Sequence, residues 1–171
     1  MEDQYGLVDF FTHQYRVGGS IWMGGQRLTD LLNDKRSSSL EVRNVQIARV
    51  ITPKEVVGTY ASAVVEKERI VFAVIRAEAA EVRQRRFYKH VVTEQWDVFL
   101  TVPFFELSGK LHVRGKGDLQ TMVKDWTSQF VPITQARAVF TLYPEVSFDG
   151  EVIVVNKAHI EVICSDSESA S

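Results

Sequence analysis

Hydrophobic and polar positions along this chain follow two periodicities, and both recur twice in the same order. Residues 8–23 form an extended stretch rich in aromatic and β-branched side chains. Leu28, Leu31 and Leu32 then fall at helical spacing and predict a short helix. A strand over residues 40–50, a turn at Pro53 and a closing apolar pair of strands within residues 61–75 complete the first set. The second set begins with residues 98–113, and its helix is read from Leu119, Met122, Val123 and Trp126, with Asp118 placed as N-cap. A strand over residues 130–142, a turn at Pro144 and apolar strands within residues 152–164 follow. Gly18-Gly19 and Ser108-Gly109 interrupt the opening stretches, where glycine suits a bulge or a tight bend between two strands. Glu66-Lys67-Glu68 and Asn156-Lys157 are the turns expected within the closing pairs.

The two sets align. With a shift of 90, Tyr15 meets Phe105, Val17 meets Leu107, Gly19 meets Gly109, Ile21 meets Leu111 and Gly25 meets Gly115. One inserted residue moves the shift to 91, where Leu28 meets Leu119, Leu32 meets Val123, Asp34 meets Asp125, Val42 meets Ile133 and Pro53 meets Pro144. For the last strands the shift returns to 90, so that Val64, Val65, Lys67 and Ile70 meet Val154, Val155, Lys157 and Ile160. Identities are few; the order of glycine, apolar face, turn and proline is what repeats. The fold class expected is mostly β with short helices: two duplicated small barrel-like or curved-sheet modules, each of four to five strands plus one helix.

Charge refines this division. Residues 1–75 hold nine acids and nine bases, residues 76–95 three and five, and residues 96–171 ten and six. The expected organisation is therefore a first β module over 1–75, a basic, partly helical linker over 76–95, a second β module over 96–164, and a flexible acidic, serine-rich tail over 165–171. A net charge of -2 gives no overall pull toward nucleic acid or anionic membranes. No apolar run approaches the roughly 18 to 20 residues of a membrane-spanning helix. The acidic opening Met-Glu-Asp-Gln-Tyr lacks the basic and apolar regions of a secretory leader, and Cys164 is the single cysteine, so a cytoplasmic protein with no membrane partner is expected.

Candidate chemistry is sparse. His13, His90, His112 and His159 show no metal-ligand spacing, and none matches another under the alignment. No Gly-x-Ser-x-Gly elbow is present, and Cys164, at the end of an apolar strand, reads as a buried, inert thiol. Gly18-Gly19 and Gly24-Gly25 lack the Lys-Ser or Lys-Thr of a phosphate loop and read as turn and bulge residues. The Arg-x-x-x-Arg signature of PilZ-type receptors is also missing. The expectation is no catalytic residue, no cofactor and no metal. One basic and aromatic strip stands out in the linker: Arg83, Arg85, Arg86, Phe87, Tyr88 and Lys89 could grip phosphates and stack bases, or could anchor the linker between the modules.

Tyr15-Arg16-Val17-Gly18-Gly19, the run Arg27-Leu28-Thr29-Asp30-Leu31-Leu32-Asn33 and the run Val155-Asn156-Lys157-Ala158-His159-Ile160 together resemble an uncharacterised bacterial domain family whose members are single modules of similar length. The likeness is split: the Arg-Leu-x-Asp-x-Leu-Asn element is kept in the first set, the Val-Asn-x-x-x-Ile element in the second. It implies tandem copies and brings no activity. The strand pair bent at glycine, the Leu-Leu-Asn stretch and the closing apolar strand also resemble Sm-like small barrels, which bind RNA and form rings, although the helix here lies between strands instead of ahead of them. The function expected is a non-enzymatic binding or assembly module acting on a protein partner or on itself, with RNA binding through the linker strip as the alternative. A covalent pseudo-dimer of this kind is expected to pack its halves about a pseudo-twofold axis and to associate further, as a homo-oligomer.

Overall fold

The computed structural model of the chain describes residues 4–77, 94–115 and 117–166. Within them the first half runs β1 (Tyr5–Phe11), β2 (Tyr15–Trp22), α1 (Leu28–Asn33), β3 (Ser39–Arg49), β4 (Val56–Glu66) and β5 (Phe72–Ala77). The second runs β6 (Glu94–Val102), β7 (Phe105–Val113), α2 (Leu119–Asp125), β8 (Phe130–Phe140), β9 (Ser147–Asn156) and β10 (Val162–Ser165). A single 3-10 turn, Lys67–Arg69 or Lys157–His159, precedes the last strand of each half, where the polar interruptions stand in the sequence. The fold is mostly β with short helices, as the periodicities predict. The ends of the linker expected over 76–95 are strand, Arg76 and Ala77 in β5 and Glu94 and Gln95 in β6, and residues 78–93 lie outside the described residues.

The opening stretches turn elsewhere than at their glycines. β1 passes to β2 through Thr12, whose hydroxyl accepts from the amide of Tyr15 at 3.0 Å, and β6 passes to β7 through Pro103 and Phe104, with Phe104 at φ 68°. Gly19 and Gly109 instead sit inside β2 and β7 at β-bulges, where the pairing slips between Gly18 and Ser20 and between Ser108 and Lys110. Bulge and bend are both glycine's work, and the apolar pattern does not separate them. A Cβ on Gly19 would lie 2.6 Å from the carbonyl oxygen of Arg43, and one on Gly109 2.5 Å from a methyl of Ile133. Opposite each bulge one residue takes a positive φ, Asn44 at 52° and Gln135 at 48°.

All described strands join one sheet in the order β10-β6-β7-β8-β9-β5-β1-β2-β3-β4, and every pairing is antiparallel. Each half supplies five consecutive strands, with its last strand returning beside its first. The halves meet where β5 pairs with β9. There Phe72 faces Val155, Ala73 faces Val154 and Val74 faces Ile153.

Two apolar cores follow from this order. Side chains alternate across a strand, and at the joint both faces are used. Phe72, Val74, Ile153 and Val155 enter the core of the second half, while Ala73, Ile75, Val152 and Val154 enter that of the first. Phe72 stacks on Phe11 at 4.4 Å between ring centres and meets Phe105 edge-on at 5.0 Å. α1 covers the first core with Leu28 and Leu32, and α2 packs Leu119 and Met122 against the second. Asp118 caps α2 as expected, accepting from the amide of Thr121 at 2.8 Å. Beyond each helix, the ammonium of the 3-10 turn donates to a carbonyl, Lys67 to Asp34 and Lys157 to Trp126, both at 2.8 Å.

Candidate interaction edges

The joint between the half-sheets is the best-built polar feature of the molecule. Asn33, the last residue of α1, donates to the carbonyl of Phe130 at 2.9 Å and accepts from its amide at 2.8 Å. Asn156, 1% exposed at the end of β9, donates through its side chain to the carbonyl of Ile70 and through its main chain to that of Val71, both at 2.9 Å. Its side-chain oxygen accepts from Gln129 and from the amide of Ala158. An amide side chain suits this place because it donates and accepts at once, so neither end of it is buried without a partner. The imidazoles of His13 and His159 meet edge-on at 4.8 Å, and a ring nitrogen of His159 lies 3.3 Å from the carbonyl of Glu68.

The joint is made between unlike strands. β9 is the fourth strand of its half and β5 the fifth of the other, so the contact is head-to-tail. This corrects the pseudo-twofold arrangement expected from duplication, which would pair equivalent strands, β4 with β9 or β5 with β10.

Among the described residues, two unlike edges therefore end the sheet. β4 has β3 as its neighbour and β10 has β6. β4 spans 11 residues and leaves Val56, Val57, Tyr60 and Val64 exposed, Val64 by 68%. Between Val56 and Glu66 it contains no lysine and no proline, the usual protection of an edge strand. β10 exposes Val162 by 53%. Cys164 is also exposed, which corrects the buried thiol expected from its apolar neighbours: β10 lies at the sheet's end, so alternate residues lack a covering layer.

Asp9 and Asp34 are engaged in structural work. Asp9 is 1% exposed between β2 and β5, and its carboxylate binds Arg16 at 2.9 Å and Arg76 at 3.2 Å. Arg16 also donates to the carbonyl of Pro53 and lies over the ring of Phe148 at 4.9 Å. At the joint a groove of about 530 Å³ is flanked by Asp34, Lys67, Gln129 and Asn156. The Arg36 guanidinium hydrogen-bonded to Asp34 holds that carboxyl down to about 2, while burial pushes the Lys67 ammonium down.

The expected strip of Arg83, Arg85, Arg86, Phe87, Tyr88 and Lys89 lies outside the described residues, as does His90. Among the described residues no three or more His, Cys, Asp and Glu side chains gather to hold a metal ion, and no helix is long and apolar enough to cross a membrane. Of the residues that build the joint, Asn33, Asn156 and His159 stand in quoted sequence elements, but nothing local marks them as partners of Phe130, Ile70 and His13. The visible signal is that split: the element ending in Asn33 is kept in one half and the element holding Asn156 in the other, and those two asparagines secure the joint. No family model matches the chain, and no curated protein or solved structure matches it either.

Proposed function

We propose that this chain is a non-enzymatic binding and assembly module, built from tandem copies of one β unit, that takes a further strand on its open sheet edges. One observation carries the reading. The edge pairing that joins the halves uses a fourth strand and a fifth strand, and a fourth and a fifth strand also end the sheet. Main-chain pairing supplies affinity at such an edge and the exposed side chains supply selectivity.

The duplication rests on the repeated element order and on the two bulges, each with its positive-φ residue opposite, at corresponding places in the halves. A folded unit with unlike open edges can join its copy within the chain and still present one edge of each kind outside it.

A labelled peptide of residues 158–166, which contains β10, tests this directly. The reading expects saturable binding to the intact chain, read by fluorescence anisotropy, and loss of that binding in Val64→Pro. Proline is tolerated on an edge strand where its missing N–H would have pointed outward. Absence of peptide binding to the folded wild-type chain would overturn the reading.

A further inference from the structure

Matching the halves places β10 on β4 residue by residue. Ala73 meets Val154 at the joint, and their equivalents by the shift of 90 are Ile163 and Val64. Phe72 and Val155 become Val162 and Val65; Val74 and Ile153 become Cys164 and Ala63. The surroundings correspond as well. The amide of Val71 donates to Phe11 at 2.7 Å, and that of Glu161 donates to Thr101 at 2.9 Å. The amide of Lys157 donates to Gln129 and that of Lys67 to Ser38, each at 2.8 Å. Val154 and Phe72, buried at the joint, are 0% exposed; Val64 and Val162, their equivalents at the ends of the sheet, are 68% and 53% exposed. Those two valines are therefore bare where the joint has a covering strand.

Strand parity agrees. Because the amide of Asn156 reaches Val71, Asn156 and Val154 turn their main chains toward β5. By the same alternation the amide of Lys67 on Ser38 turns Val65 toward β3 and Val64 away from it, and the tight hairpin that pairs Val102 with Phe105 turns Thr101 and its partner Val162 toward each other, leaving the main chain of Ile163 turned away from β6. We infer that a second copy of this chain docks its β10 on β4, with Ile163 opposite Val64 in an exchanged hydrogen-bonded pair and Cys164 opposite Ala63 in a non-hydrogen-bonded pair, so that copies link head to tail. This inference rests on the edge-binding reading above and names its partner.

The contact between copies differs from the joint at its two polar positions. Asn156 is replaced by Glu66 and Asn33 by Lys124, an anion and a cation on opposite sides of the new contact. The amide bonds that hold the joint are lost, and an attraction between opposite charges that salt screens takes their place. Contact between copies is thereby reversible and salt-sensitive where the joint is permanent. Restoring amides at both places should tighten it.

Two experiments on the full chain test the proposal. In sedimentation velocity the wild-type mass should rise with concentration, and Val64→Pro should stay monomeric with an unchanged thermal melt. The double variant Glu66→Asn, Lys124→Asn should associate at roughly tenfold lower concentration, the gain expected of one or two restored hydrogen bonds. For register, Ala63→Cys should form disulfide-linked multimers through native Cys164 under mild oxidation, since opposed non-hydrogen-bonded residues have Cα atoms about 4.5 Å apart. Ala61→Cys, two residues off, should not, and Cys164→Ser should abolish the Ala63→Cys product. A wild-type chain and double variant that remain monomeric would overturn the second copy as occupant; peptide binding in the same preparation would leave edge binding itself standing. Association lost in Val64→Pro but crosslinked through Ala61→Cys would overturn the register.

Discussion

Asn33 and Phe130 share a two-way hydrogen bond across the joint, the side-chain amide of one reading both main-chain groups of the other at 2.9 and 2.8 Å. α1 thereby ends on the neighbouring half-sheet. Replacing Asn33 with leucine keeps the volume and removes both bonds from a part-buried place, at a cost of about 1–3 kcal/mol. Urea denaturation measures it, and Lys124→Leu at the equivalent place in the second half should cost far less.

Phe72 carries the first half into the core of the second. It stacks on Phe11 from the first half and meets Phe105 from the second. Phe72→Ala should therefore cost about 3–5 kcal/mol, the range for a large buried aromatic. Because β5 and β9 carry both cores, the chain should unfold in a single transition by fluorescence and by circular dichroism alike. Two separated transitions in the wild type would show that the halves are thermodynamically independent.

Element order was legible because apolar periodicity is a local property. The spacing of Leu28, Leu31 and Leu32 predicts α1, and Asp118 predicts the start of α2, without knowledge of any neighbour. The joint is a different kind of fact. Asn33 and Phe130 lie 97 residues apart and Asn156 and Ile70 lie 86 apart, so no window along the chain contains either pair. The bulges at Gly19 and Gly109 were half legible. Glycine signals a close backbone approach, but whether the chain bends there or pairs through it is decided by β3 and β8 alongside. Cys164 departs from its expected burial for a related reason: an apolar run implies a strand, and only the strand order shows that this one lies at an edge.

Asp9 sits on β1 with Val8 and Phe10 on its other side, and the two arginines that bind it come from β2 and β5. Removing the carboxylate in Asp9→Ala leaves Arg16 part-buried without its anion. The expected loss is about 3–5 kcal/mol by urea denaturation, as for one partner of a buried pair. The paired change Asp9→Leu, Arg16→Met should recover most of it, since a buried ion pair replaced by apolar groups of similar volume is often neutral. Gly18 limits the replacement, because a Cβ there would already lie 2.5 Å from the Asp9 carboxylate.

Acid should loosen both helix ends through two carboxyls. Arg36 holds Asp34 down to about 2 from an ordinary 3.8, and the Thr121 amide lowers Asp118. A carboxyl depressed on folding adds stability that is complete above its unfolded value and disappears as pH falls through its folded value. The contribution of Asp34 should therefore be full above about pH 4 and lost on the way to pH 2. Asp118 also caps α2, so Asp118→Ala should lower stability at pH 7 as well. Asp118→Asn keeps an accepting oxygen without the charge, and should cost less at pH 7 while flattening the acid limb. Denaturation midpoints at pH 7, 4 and 2 separate the two roles: equal losses for the alanine and asparagine variants at pH 7 would mean that charge, and not the accepted hydrogen bond, is what Asp118 supplies.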